Sequence, residues 1–281
     1  MDPIIILVAP NGARKTKKDH TNIPLTIPEI VKESVACRDA GATLLHLHIR
    51  DQNHVHSLDT NTYRKTIDAV RDAVGNTMII QATSEAVDIY PPEAQMQMVR
   101  EVRPEAVSLA IREIIPDPSY EKEAGKLLHD MQEWGVFPQY ILYSPDEVKQ
   151  FVDLKKRGIV PEGNSFVLFV LGRKQANALN PSAFAQPDDL DPFLETFDQG
   201  LNLSETHWAV CAFGGHELGC MQKTVSCGGH PRIGFENNIL MEGGKIAETN
   251  AALIDQFVKA NTASGKRPIA TIAQTKKLLG L

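Results

Sequence analysis

The chain has 281 residues, of which 42% are hydrophobic and 23% charged, a balance that supports a large buried core and excludes a disordered or fibrous chain. Its formal charge is 29 − 35 = −6 with no long basic run, which argues against nucleic acid or an anionic membrane as the main partner. The apolar run at 4–8 is too short to span a bilayer and lacks a basic leader or small-residue cleavage site, so the expected compartment is the cytoplasm.

In chain order, residues 4–9 read as a first strand and 28–41 as a helix with Pro28 in its first turn. A strand at 44–50 precedes a helix at 63–74, and a strand at 78–83 precedes a helix at 92–102. Strand 106–111 is followed by helix 120–134, and strand 137–143 by helix 146–157. Ser144 is placed as the N-cap of that last helix, with Glu147 three residues on. Further strands are expected at 166–171, 207–213 and 232–236, and the connection 172–187 reads as a βα loop or lid. Cys37, Cys211, Cys220 and Cys227 form no C-x-x-C pair and are expected to be reduced and mostly buried.

Eight strands alternating with helices imply parallel pairing through right-handed crossovers. Closure into a (β/α)8 TIM-type barrel is the expected architecture, as one domain over 1–281; roughly 250 residues is typical of such a domain. An open doubly wound sheet is the competing reading, but neither G-x-G-x-x-G nor a P-loop is present to support it.

In a barrel, reactive groups gather at the C-terminal ends of the strands. His46 and His48 lie near the end of the second strand, and residues two apart share a face of a strand. Both imidazoles can then point into the barrel mouth and take adjacent positions on one divalent ion; the competing reading is two buried histidines bonded to backbone. A carboxylate from a neighbouring strand end should complete the set. Strands eight and two both flank strand one in a closed barrel, which makes Glu236 the expected third ligand, with Arg232 four residues earlier on the same face. Asn11 and Arg14 after strand one, Thr83, Ser84 and Glu85 after strand three, Ser108 in strand four, and Arg112 and Glu113 beyond it fall at the same rim; each could instead cap the next helix.

Three blocks carry a resemblance to a known family. They are Ala9-Pro10-Asn11-Gly12-Ala13, His46-Leu47-His48-Ile49-Arg50-Asp51, and Gly228-Gly229-His230-Pro231-Arg232-Ile233-Gly234-Phe235-Glu236-Asn237-Asn238. Weaker matches fall at Pro24-Leu25-Thr26-Ile27-Pro28-Glu29, Phe169-Val170-Leu171-Gly172 and the terminal Leu278-Leu279-Gly280-Leu281. With these the chain resembles the β-keto acid cleavage enzymes over essentially its whole length. The resemblance implies a TIM barrel that binds zinc or another divalent transition metal and assembles as a homotetramer. It implies an acyltransferase that condenses a β-keto acid with acetyl-CoA, releasing acetoacetate and a shortened acyl-CoA by retro-Claisen chemistry. It assigns His46, His48 and Glu236 to the metal and Arg232 to proton abstraction or carboxylate binding, and places Thr83, Ser84 and Ser108 near the substrate.

The chain also departs from the family pattern. Asn237 stands where an aspartate is usual, Arg14 where an acid is frequent, and 139–143 lacks a customary glutamate. An amide cannot serve as a carboxylate base, so the catalytic pair Arg232 and Asn237 is altered. One reading keeps the reaction, with Arg14 and Arg112 favouring a β-keto acid whose distal group is anionic. The other keeps the metal but weakens or replaces the retro-Claisen step, with Glu85 or Glu113 as base. A metal-dependent hydrolase or aldolase, and a non-catalytic ligand-binding barrel, are the readings from other classes.

Overall fold

A computed structural model describes residues 2–163, 165–172, 184–198, 200, 206–265 and 267–281. Eight parallel strands close a barrel: β1 (Leu7–Val8), β2 (Leu44–Leu47), β5 (Ile79–Thr83), β6 (Ala106–Ala110), β7 (Phe137–Leu142), β8 (Ser165–Leu171), β9 (Thr206–Ala212) and β10 (His230–Ile233). Among the described residues the α-helices are α1 (Ile27–Asp39), α2 (Thr60–Val74), α3 (Pro92–Val102), α4 (Ile111–Ile114), α5 (Glu121–Trp134), α6 (Pro145–Lys156), α7 (Asp191–Asp198), α8 (Glu217–Ser226), α9 (Asn250–Ser264) and α10 (Ile272–Leu279). The expected barrel is therefore the observed one. Most of the connection read as a loop or lid, 173–183, lies outside the described residues.

Strand alternation divides the core in two. Leu7, Leu44, Ile79, Phe137, Phe166, Leu168 and Cys211 fill the barrel interior, while Val8, Leu45, Leu47, Ile80, Val107, Val167 and Phe169 pack outward under the helices. The interior apolar layers stop below the C-terminal rim, and polar side chains follow them on the same face: His46 after Leu44, Gln81 and Thr83 after Ile79, Gln139 after Phe137. Helix starts follow local chemistry. Glu147 N donates to Ser144 Oγ at 3.3 Å, and Glu147 Oε2 in turn accepts from Tyr143 N at 2.9 Å.

Two elements differ from expectation around the site. The predicted strand 44–50 breaks at His48 and continues as β3 (Ile49–Arg50), which turns back in an antiparallel hairpin with β4 (His56–Ser57). The predicted strand 232–236 ends at Ile233 instead. Ala9 N donates to Ile233 O at 2.8 Å and the next ladder bond, Glu236 N to Ala9 O at 3.1 Å, skips Gly234 and Phe235. Gly234 permits this excursion. Its φ is 143°, and a Cβ there would lie 2.4 Å from Ala9 O, so no other residue fits without displacing β1.

Candidate metal centre

β1 lies between β10 and β2, with Leu7 opposite both Arg232 and Leu44. Side chains from the two flanking strands therefore meet across it. His46 Nε2 and His48 Nε2 stand 3.0 Å apart, and Glu236 Oε2 lies 3.4 Å and 3.3 Å from them. Among the described residues these three form a buried group of ligand atoms, all within 4.8 Å of one another.

The protons in this cluster follow from what surrounds it. Gln81 Nε2 donates to Gln139 Oε1 at 3.2 Å, which turns Gln81 Oε1 toward His46 Nδ1 at 2.9 Å. A carbonyl oxygen only accepts, so His46 carries its proton on Nδ1 and presents a lone pair at Nε2. His56 Nε2 donates to the backbone oxygen of Glu85 at 2.9 Å, leaving its Nδ1 to accept from His48 Nδ1 at 3.4 Å. In the neutral ring His48 Nε2 is thus also a lone pair. Burial holds His46 down to about 3 and His56 down to about 4, so both rings are neutral at ordinary pH. Burial by itself raises the Glu236 carboxyl, but the Arg232 guanidinium beside it outweighs burial and holds it well below the usual range. Glu236 Oε1 accepts from Arg232 at 2.7 Å, whereas the buried Oε2 has no hydrogen-bond partner.

Three acceptors thus face one another with no proton between them. That arrangement repels itself unless a cation sits among the lone pairs. The donor set, two imidazoles and a carboxylate, matches the three protein ligands of catalytic zinc sites. In a tetrahedron with bonds of roughly 2.0–2.1 Å the ligand atoms lie about 3.3–3.4 Å apart, close to the spacings here.

The loop after β1 pins this cluster in place. Asn11 Nδ2 donates to His48 O at 3.1 Å and Pro24 O at 2.9 Å. Lys15 Nζ donates to Phe235 O at 2.9 Å and Glu236 O at 2.7 Å. The buried Arg50 guanidinium holds the carbonyls of Gly12, Ala13 and Lys15. Gly12 lies against the Glu236 side chain, where a Cβ would come within 2.5 Å of Cγ.

A small cavity of about 10 Å³ lies beside the cluster, lined by His46, Thr83, Glu85, Tyr143, Arg232 and Glu236 with Ile141 and Val170. Thr83 thus reaches the site. Ser84 Oγ donates to Ser108 O at 3.3 Å, and Ser108 Oγ is buried with no hydrogen-bond partner; neither side chain is among those lining the cavity. Asn237 Oδ1 accepts from Arg232 at 3.2 Å. Arg112 stacks on Tyr143, its Cζ 3.5 Å from the ring centroid, with Glu147 3.7 Å away. Arg14 lies farther out, 3.5 Å from Asp88 on the surface. Glu85 Oε2 lies 3.8 Å from His48 Nε2, whereas Glu113 Oε2 accepts from Ala86 N at 2.9 Å and is not among the lining residues.

The supporting residues Gln81, His56, Lys15, Arg50 and Glu217 were not anticipated. Gln81 was within reach of alternation, since it shares the interior face with Ile79 and Thr83. His56 had no such signal, because only the hairpin turns it under His48. Buried Glu217, at the start of α8, is pushed up to about 8 by burial against hydrogen bonds from Asn238 and Gly234.

Comparison with known proteins agrees over the same span. The chain is similar to the 3-keto-5-aminohexanoate cleavage enzyme of Acetoanaerobium sticklandii, 29% identical over 286 residues that cover 100% of this chain and 99% of that protein. It is similar to the 3-oxoadipate:acetyl-CoA acetyltransferase of Cupriavidus necator, 26% identical over 283 residues covering 99% and 95%. Among solved structures, apo ObcA shares the fold with a TM-score of 0.72 at 15% identity, over 92% of this chain and 66% of that one. The model of the beta-keto acid cleavage enzyme matches residues 3–281, a span that takes in β1, the histidine strand and the Glu236 turn together, and the chain belongs to that family.

Proposed function

We propose that this protein is a zinc-dependent acyltransferase that condenses a β-keto acid with acetyl-CoA, giving acetoacetate and the CoA thioester of the shortened acid. The observation that carries this reading is the convergence of His46 Nε2, His48 Nε2 and the unpartnered Glu236 Oε2 beside a small cavity. Held by His46, His48 and Glu236, zinc would supply a Lewis acid for enolate formation. The chain's own residues do the rest. Arg232 presents a buried cation to the substrate carboxylate, oriented by Glu236 and Asn237. Loss of a C2 proton leaves an enolate, and Glu85, the cavity-lining carboxylate other than Glu236, is assigned that proton. The enolate carbon attacks the thioester carbonyl and CoA leaves as thiolate. The thiolate then attacks the original keto carbon, the bond between it and C2 breaks with its electron pair on C2, and the resulting acetoacetate enolate takes the proton back from Glu85. Ile141 and Val170 in the cavity wall limit water, which would hydrolyse the thioester.

The substrate we assign is a β-keto acid with an anionic distal group. Arg112, stacked on the cavity-lining Tyr143, supports this, with Arg14 farther out on the rim. Thr83 belongs to the same substrate side through the cavity wall, whereas Ser84 and Ser108 are assigned there by the family resemblance alone. The family resemblance adds a homotetrameric assembly, which light scattering on the purified protein tests.

Purified protein should release acetoacetate from a β-keto acid only when acetyl-CoA is present. In a panel with distal carboxylate, amine or alkyl groups, kcat/KM should be highest for the carboxylate. Arg112→Ala should raise KM for it by about tenfold, the worth of one charge-assisted contact. Acetoacetate release from none of the panel would overturn the reading in favour of a hydrolase or aldolase on the same barrel.

A further inference from the structure

The peptide between Glu85 and Ala86 is gripped from two sides. Its oxygen accepts from His56 Nε2 at 2.9 Å, and its N–H donates to Glu113 Oε2 at 2.9 Å. Turning this peptide over would break both bonds at once. Glu85, on one end of it, lines the cavity with Oε2 3.8 Å from His48 Nε2.

The chain then reverses in a turn closed by Ile89 N donating to Ala86 O at 2.9 Å. Both central residues have positive φ, 51° at Val87 and 59° at Asp88. Mirror-image turns of this kind favour asparagine and glycine, and a β-branched valine is among the residues least suited to them. The closing bond does not demand that form, because an ordinary right-handed turn makes the same bond. Nor does the tip: Asp88 meets Arg14 at 3.5 Å with both side chains exposed, and such a pair holds little. The exit is fixed at Tyr90, whose oxygen accepts from the buried Gln95 Nε2 at 3.3 Å. The left-handed form is thus imposed by the gripped peptide at the entry. One ordinary hydrogen bond does not outweigh the left-handed cost of two residues, whereas two together match it.

We propose that Glu113 is a positioning residue: with His56 it clamps the Glu85–Ala86 peptide, drives Val87 and Asp88 into the left-handed turn, and so holds the Glu85 carboxylate at the cavity. Backbone strain beside a reacting group persists only where surrounding contacts enforce it. The catalytic consequence rests on the proposed role of Glu85 as base; the strain does not.

A cycle of Val87→Gly and Glu113→Ala tests this, with zinc-loaded proteins compared by urea midpoint, kcat, KM and zinc per chain. Glycine takes a positive φ at no steric cost, so V87G should raise the midpoint, with kcat within about twofold because the clamp remains. E113A should lower kcat by about ten- to a hundredfold, the scale of moving a reacting group by about 1 Å. Its KM should stay within about twofold and its zinc per chain unchanged. Without the clamp the turn relaxes, so V87G should no longer raise the midpoint when added to E113A. No rise in the wild-type background, an equal rise in both backgrounds, or wild-type kcat in E113A overturns the proposal. If E113A does not fold, Glu113→Asp, which keeps the charge but withdraws the oxygen by one methylene, takes its place and the same outcomes decide. If the wild type releases no acetoacetate, the functional reading fails while the midpoint cycle still decides the clamp.

Discussion

The site turns on three lone pairs that share a space of a few ångströms. Replacing one ligand should remove the ion rather than merely slow the reaction. His46→Ala or Glu236→Gln is expected to leave less than a tenth of the wild-type zinc per chain, read by elemental analysis, and to cut acetoacetate release by about a thousandfold, the scale of losing a Lewis acid. Gln81 acts one step behind. Gln81→Leu takes away the acceptor that keeps the His46 proton on Nδ1, and zinc affinity should weaken by about ten- to a hundredfold in a chelator competition. The same rings predict a pH response. His46 is held down to about 3 and His56 to about 4, against 6.5 for a free imidazole. Between those values and 6.5 the unfolded chain takes up protons that the folded one refuses, so stability is present above 6.5 and lost as the pH falls toward 3. Chelator-treated protein should show a lower urea midpoint at pH 5 than at pH 7, and His46→Asn should shrink that difference. An unchanged midpoint in the wild type would mean that His46 and His56 are not neutral in the fold.

Between strands, the decisive feature is the excursion at Gly234. β10 ends three residues earlier than the apolar pattern predicts, and the two residues skipped by the ladder bring Glu236, not Gly234, up to the histidines. Gly234→Ala meets both a φ of 143° and the Ala9 carbonyl oxygen at 2.4 Å. The expected outcome is a loss of several kcal/mol in unfolding free energy, at the upper end for single substitutions, together with reduced zinc per chain because the turn carries a ligand. Wild-type stability and zinc content in this variant would show that the turn relaxes freely. The split of the second strand works in the opposite direction. By turning back at β3 and β4 it places His56 beneath His48 and Arg50 across the loop after β1.

For the whole barrel, closure is what couples the two ends of the chain at one point. Residues 46 and 236 meet because β1 pairs with both β2 and β10, so an ion held between them ties the first third of the chain to its last quarter. An ion that binds only the folded chain stabilises it by mass action, by about 2.7 kcal/mol at a free concentration a hundred times Kd. Scanning calorimetry should therefore give a Tm that rises by several degrees on adding zinc to chelated wild type and does not move in His46→Ala. An equal rise in both would place the bound ion elsewhere.

How much of this was legible beforehand differs by feature, for a physical reason in each case. Alternating apolar runs and helical stripes specify the barrel, because the periods 2 and 3.6 are written in neighbouring residues. The spacing of His46 and His48 specifies a shared face for the same reason, and strand order in a closed barrel is enough to select Glu236 as their partner. The tautomers, the orphaned Glu236 oxygen, and the services of Gln81, His56, Lys15 and Glu217 depend on contacts between residues tens to hundreds of positions apart. Nothing local encodes those contacts. They exist only once the sheet has closed and the Gly234 turn has swung Glu236 inward, and it is there that the two histidines gain a third ligand atom within reach of one ion.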